Sequence, residues 1–232
     1  MKSKAPDDDD SPPPRRIDSR RRRLLASAGA LALGGRSACA VNLAGSDGVL
    51  LFLCGDVMTG RGIDQILPHP GAPELYESYM RSARGYVALA EGETGPLPRS
   101  APFDYVWGDA IAEIARADPV VRIANLETAI TDRGAPWPDK GIHYRMHPRN
   151  VACLAVARLD VCGLANNHVL DWGRDGLVET LDTLRAAGIA TAGAGADAPA
   201  AASPAIVPLP RRRLPVYACG ALDSGIPRNW AA

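Results

Sequence analysis

Val49-Leu50-Leu51-Phe52-Leu53-Cys54-Gly55-Asp56 is six apolar residues closed by a glycine and an acid. A continuous apolar run of this length, stopped by glycine, reads as a strand covered on both faces. Two later runs have the same form. Val120-Val121-Arg122-Ile123-Ala124 leads into Asn125-Leu126-Glu127, and Asp160-Val161-Cys162-Gly163-Leu164-Ala165 leads into Asn166-Asn167-His168. Helical stretches lie between them. Phe103–Ala117 sets Val106, Ala110, Ile111, Ile114 and Ala115 on one stripe. Pro148 opens a helix at its first position, running to about Arg158. Asp175–Ala187 turns Leu177, Val178, Leu181 and Leu184 inward and stops at Gly188. A short helix is expected near Glu74–Ala83, a strand over Ile189–Thr191, and a hairpin from Ala205–Leu209 and Leu214–Cys219 around Pro210–Arg213. Residues 131–147 read as loop. Strands alternating with helices predict an α/β fold with a largely parallel sheet.

The chain has 232 residues, room for one good-sized domain. Hydrophobic residues make up 47% and aromatics only 5%, so Leu, Val, Ala and Ile must build the core. The net charge of zero hides a split. Residues 1–40 carry 9 Lys/Arg against 5 Asp/Glu, and residues 41–232 carry 17 against 21. A mildly acidic folded part argues against a nucleic-acid surface. The basic run Arg211–Arg213 reads as a solvated hairpin turn. Cys54, Cys162 and Cys219 interrupt apolar runs and read as small buried hydrophobes, with no CxxC pair among the cysteines.

Residues 1–40 read as a disordered leader ending in an export signal. Asp7–Asp10 and Pro12–Pro14 cannot join a core. Arg20-Arg21-Arg22-Arg23 precedes a short, weakly apolar stretch and a small-residue Ala38-Cys39-Ala40 site, the parts of a secretory signal. Consecutive arginines before such a stretch favour the twin-arginine export machinery. The expectation is an exported bacterial protein, periplasmic or on the cell surface, with residues 41–232 as its domain.

In open α/β sheets ligands bind beyond the carboxyl ends of the strands. Three expected strands end there in polar clusters: Gly55-Asp56, Asn125-Leu126-Glu127, and Asn166-Asn167-His168 with Asp171 beyond. Oxygen and imidazole donors brought together at those ends suit a divalent metal such as Mn, Mg, Fe or Zn. Taken singly, a strand-end Asp is often a helix cap and Asn a turn former. Gly193-Ala194-Gly195 lacks the third glycine and opening helix of a dinucleotide site.

Gly55-Asp56-Val57-Met58-Thr59-Gly60-Arg61, Asn125-Leu126-Glu127-Thr128 and Ala165-Asn166-Asn167-His168-Val169-Leu170-Asp171-Trp172-Gly173 resemble, in order, the motifs of CapA-type proteins. So does Ala221-Leu222-Asp223-Ser224-Gly225-Ile226-Pro227, and the likeness spans about residues 49–232. That family is linked to capsule or poly-γ-glutamate synthesis and belongs to the calcineurin-like metallophosphoesterases. The resemblance implies the first half of a four-layer αββα sandwich. It implies metal ligands at Asp56, Glu127 and Asn167, with Asn125 the other residue at the second motif, and His168 as the catalytic acid. Arg61, Asn125, Asn166 and Asp171 would face the substrate, with Asp171 also placed to orient His168. Arg61 has a plainer reading as a loop arginine paired with Asp64. His143 and Arg145 lie on a loop placed to reach a substrate. The implied partners are a cell-surface polyanion or its synthesis machinery.

Two departures stand in the sequence. Superfamily phosphoesterases begin Asp-x-His, and Met58 takes the place of that histidine, a side chain a hard cation does not choose. The remaining ligands are expected as histidines in the second half, yet His69, His143, His147 and His168 are all the histidines present. The expectation is therefore a chain truncated at its C-terminus, with a partial site. The competing expectation is a non-catalytic binding or scaffolding subunit of a surface-polymer machinery. An uncovered sheet face and an exposed Ala205–Cys219 hairpin would make residues 41–232 poorly soluble alone.

Overall fold

The computed structural model describes residues 48–221, 223–226 and 230. The expected leader, with Arg20–Arg23 and Ala38-Cys39-Ala40, lies outside them, as do Leu222 and Pro227 of the last motif. Four parallel strands form the central sheet in the order β1-β2-β5-β6: Leu51–Val57, Val121–Leu126, Val161–Gly163 and Ala190–Ala192. The three apolar runs thus become three adjacent strands, and the mixed α/β architecture is the expected one. Val120 N–H donates to Leu50 O and Asp160 N–H to Arg122 O, so the strand entries are also tied in register.

The two faces of the sheet differ. Ala124 and Cys162, neighbours in register, point into the main core with Leu126, Ile130, Met146, Leu154, Leu164 and Leu184. Ile123 and Val161, also in register, point the other way, where β7 (Ala205–Leu209) and β8 (Arg212–Val216) pack as an antiparallel hairpin. The hairpin lays Ala205, Val207 and Val216 against Val161 and Ala192 and leaves Ile206 and Tyr217 exposed. Leu53 on the edge strand is 67% exposed, so β1 is only half covered on that face. Among the described residues no helix is long and apolar enough to cross a membrane.

Several local expectations change. The helix near Glu74–Ala83 is instead a loop closed by a Glu74–Ser82 bridge; the helix, α2, runs Ala83–Thr94, because the Ser82 hydroxyl accepts from Arg84 N and caps it. A short α1, Arg61–Ile66, precedes it. The Phe103–Ala117 helix breaks at Gly108, whose φ of +51° is left-handed, into a turn of 3₁₀ helix at Tyr105–Trp107 and α3 at Ala110–Ala117. The Pro148 helix starts as a 3₁₀ turn, Pro148–Val151, and closes as α4, Ala152–Ala155. Within the 131–147 loop, β4 (Arg145–Met146) pairs in parallel with β3 (Ala129–Ile130). Helix α5, Gly173–Ala186, buries Leu177, Thr180 and Leu184, whereas Val178 is 48% exposed. At 100° per residue Val178 lies off the stripe, and the Thr180 hydroxyl takes the inward place by accepting from Ile130 N. A short α6, Ala198–Ala202, precedes the hairpin.

The cysteines divide. Cys153 and Cys162 are buried and Cys54 half-buried, while Cys219 is exposed, against expectation, because it lies past the end of β8. All four are free thiols, and burial pushes Cys153 and Cys162 up to about 12. Neither is a thiolate at neutral pH, so neither is a nucleophile.

Candidate metal centre and its histidine

Strand β1 is irregular where it meets the site. Its register with β2 slips between Cys54 and Val57, and Asp56 takes a left-handed φ of +45°. Such a bulge re-aims the side chain it carries. Here it turns Asp56 toward the end of β2, where Glu127 N–H donates to Val57 O and locks the two strand ends together. The Asn125 amide sits between two acids. Its Nδ2 donates to Asp56 Oδ1 at 2.9 Å and to Glu127 Oε2 at 3.2 Å. Its Oδ1 accepts from Asn166 Nδ2 at 3.0 Å. Asn166 Nδ2 also donates to Leu126 O, and its Oδ1 accepts from His168 N. One unbroken amide relay therefore joins the ends of β1, β2 and β5.

The acids answer each other electrostatically. Donation from Asn125, then contact with Glu127, holds the Asp56 carboxyl below its ordinary value. Burial, then the Asp56 carboxylate beside it, pushes Glu127 above the ordinary glutamate value. A carboxyl raised on folding penalises the folded state as pH rises from its unfolded value through its folded one. Asp56 does the reverse, contributing stability that is lost only as pH falls through its depressed value. Glu127→Gln removes the penalty but not the fold. In chelator-treated protein it is expected to raise the melting temperature at pH 7 and to leave it unchanged at pH 4. Equal effects at both pH values in thermal melts would contradict this.

His168 faces this pair from the turn that follows β5. Its Nε2 lies 3.9 Å from Glu127 Oε1, and its Nδ1 lies 2.7 Å from Asp171 Oδ2. A carboxylate accepts, so Nδ1 points an N–H at Asp171, with Lys140 Nζ also 3.2 Å from that nitrogen, and Nε2 is turned to the acids. Asp171 is fully buried and also accepts from Tyr144 N at 2.6 Å and from Lys140 Nζ. Lys140 donates as well to Asn167 O. The Tyr144 ring stacks on the His168 ring at 4.0 Å and 27°. Burial raises the Tyr144 phenol above its ordinary value.

Sequence reading named neither Lys140 nor Tyr144. It named their neighbours, and those point elsewhere. His143 Nε2 bonds Trp137 O, and Arg145 lies over the Trp172 ring at 3.7 Å. Arg61, at φ +51°, pairs with buried Glu77 at 2.6 Å rather than with Asp64. That pairing is Coulombic, since Arg61 Nε and Nη2 have no directed hydrogen bond. The guanidinium lies over the rings of Tyr86, at 4.9 Å, and Tyr144, at 4.6 Å. Gly60 just before it has no room for a side chain: a Cβ would come 2.8 Å from Arg145 O. The loop after β1 is thereby pressed onto β4, which brings Arg61 to Tyr144. Asn167 is half-buried beside Gly225, where an added Cβ would stand 3.7 Å from Asn167 Nδ2.

Among the described residues no three His, Cys, Asp or Glu side chains converge as a finished metal cage. Asp56 and Glu127, joined through Asn125, offer hard oxygen donors, and His168 Nε2 lies 3.9 Å from Glu127 Oε1. Carboxylate oxygens of this kind suit a hard divalent cation.

The chain was compared with known proteins. The family model described as bacterial capsule synthesis protein PGA_cap matches residues 50–232. Two Mycobacterium tuberculosis proteins, from strains CDC 1551 and H37Rv, are each called a probable polyglutamine synthesis accessory protein. Each is 49% identical over 187 residues, covering 80% of this chain and 49% of the relative. The PGA biosynthesis protein CapA of Bacillus subtilis is 28% identical over 151 residues, 65% of this chain and 31% of that protein. The chain spans about half the length of the mycobacterial relatives. With the strand-end motifs inside the matched segment, the chain belongs to the bacterial capsule synthesis protein PGA_cap family.

Proposed function

We propose that this chain is part of an exported accessory protein for capsule or poly-γ-glutamate synthesis. In this reading its strand ends form a phosphoesterase-type site for one divalent metal. The observation that carries it is the relay Asp56–Asn125–Asn166–His168, which gathers three separate strand ends into one hydrogen-bonded cluster. Asp56 and Glu127 would hold the cation, with Asn167, from the turn after β5, completing the donors. A bound divalent cation would polarise a phosphoryl oxygen and acidify water.

The chain's own residues do the rest. Asp171 holds the imidazole through Nδ1, so that His168, when its ring carries a second proton at Nε2, would give that proton to a leaving oxygen. Asn166 and Asp171 have their polar atoms engaged inside the protein, so they serve the substrate by positioning Asn125 and His168. Arg61, held over Tyr144, supplies positive potential for an anionic substrate. The partners in this reading are a surface polyanion and the machinery that makes it, reached through the twin-arginine export route.

Titration with MnCl₂ by calorimetry tests the site. The wild type is expected to bind, with Asp56→Ala weakening binding at least tenfold and His168→Ala several-fold. Binding indifferent to both substitutions would sink the site. The lack of a finished metal cage among the described residues favours one other reading, a non-catalytic binding or scaffolding subunit. Absence of binding in the wild type would support it.

A further inference from the structure

We infer that Asn125 limits this centre to a single cation, by filling with an amide the side of the acid pair where a second one would bind. The inference rests on the metal-site reading above but makes a separate claim, about number and place. Asn125 Nδ2 directs one N–H at Asp56 Oδ1 and the other at Glu127 Oε2, at 2.9 and 3.2 Å. Both protons of that amide are spent, and each acid has one oxygen turned toward a donor. A cation on that side would meet the positive end of the amide dipole.

The amide is not free to turn over. Asn125 Oδ1 is held by Asn166 Nδ2 at 3.0 Å. Rotating Asn125 by half a turn would set its oxygen against two carboxylates and its NH₂ against the NH₂ of Asn166. Asn166 is held in turn, because its Nδ2 donates to Leu126 O and its Oδ1 accepts from His168 N. The orientation is thus set by the two backbone groups that hold Asn166 at one end of the relay and by the two carboxylates at the other. Asn166 is 7% exposed, so water does not substitute for a lost partner. Glu127 Oε1 is turned the other way, 3.9 Å from His168 Nε2, and one cation belongs on that side.

Two substitutions remove the block by different routes. Asn125→Asp replaces the donor by a third carboxylate, which can still accept from Asn166 Nδ2. Asn166→Asp takes away the donor that holds Asn125 Oδ1, so Asn125 turns its oxygen to the acid pair and becomes a ligand. The test is MnCl₂ titration of the full chain by calorimetry, with Mn²⁺ electron paramagnetic resonance for the count. The wild type is expected to take one Mn²⁺ per chain. Asn125→Asp is expected to bind at least tenfold tighter or to take a second ion, and Asn166→Asp to tighten several-fold. Near-UV circular dichroism reports folding, and a variant that gains its signal only on adding Mn²⁺ meets the expectation.

Two Mn²⁺ per wild-type chain would overturn the inference while leaving the metal site standing. No gain in either variant would overturn it whatever the wild type does. A silent wild type with a binding Asn125→Asp would uphold the block and refute the native metal site.

Discussion

Asp171→Ala is expected to cost about 3–5 kcal/mol, the cost of stripping one partner from a buried charge pair. The residue is fully buried, and its carboxylate accepts from His168 Nδ1, Tyr144 N and Lys140 Nζ. Lys140 is itself only 15% exposed at its side chain. Alanine leaves an ammonium, a backbone N–H and an imidazole N–H facing an empty space too deep for water to fill well. For a domain of this size the melting temperature should fall on the order of 10 °C. Lys140→Met should cost less, because Asp171 keeps two donors. The double variant should be less damaging than the two single costs added, by about 2 kcal/mol, since each single leaves the other's charge unpaired. Urea denaturation of the four proteins measures the coupling. Additive costs would mean that Lys140 and Asp171 do not act as a pair.

That pair marks the boundary of what the sequence discloses. The strands were legible because Val49–Cys54, Val120–Ala124 and Asp160–Ala165 are local signals: an apolar run needs only its own residues to be read. The three polar clusters were legible for the same reason, since they follow those runs directly, and the order β1-β2-β5 then places them side by side. Lys140 and Tyr144 carry no such signal. Residues 131–147 have no period, because their partners lie elsewhere in the chain: Asp171 for Lys140 and Tyr144, Trp172 for Arg145. A lysine between Asp139 and Gly141 looks like any solvated loop charge until Asp171 is folded against it.

The misplaced 74–83 helix has a similar cause. Ser82 is a good cap for whatever follows it, and the chain before it closes as a loop by the Glu74–Ser82 bridge, with Tyr76 and Tyr79 exposed. Arg61 shows the limit most sharply. The nearest acid in sequence, Asp64, was the natural partner, yet Asp64 is bonded to Gly71 N, His147 N and Asn150 Nδ2.

Those three groups make Asp64→Ala the second large expected effect. Asp64 is 3% exposed and accepts from Gly71 N at 2.7 Å, His147 N at 2.9 Å and Asn150 Nδ2 at 2.7 Å. Asn150, fully buried, closes the clip by accepting from His69 N and donating to His69 O. The clip joins the segment after α1 to the start of the Pro148 turn, although the two lie some 80 residues apart in the chain. Alanine leaves two backbone N–H groups and one amide N–H unpaired, at about 1–3 kcal/mol each, partly relieved where water enters. A total of about 3–4 kcal/mol is expected, with Asp64→Asn in between because one of its two polar atoms still accepts.

Native-state hydrogen exchange separates a local clip from a global one. If the clip is local, the Gly71 and His147 amides should exchange faster, and by more than Ile123 or Cys162 in the central sheet. The effect should reach the candidate site through β4, because Tyr144 immediately precedes Arg145–Met146 and stacks on His168. Loosening His147 frees the end of that strand, so the His168 ring resonances should lose the upfield shift that a stacked tyrosine imposes. A uniform loss of protection, with the His168 ring unmoved in the folded fraction, would place Asp64 in the global fold and remove it from any account of the site.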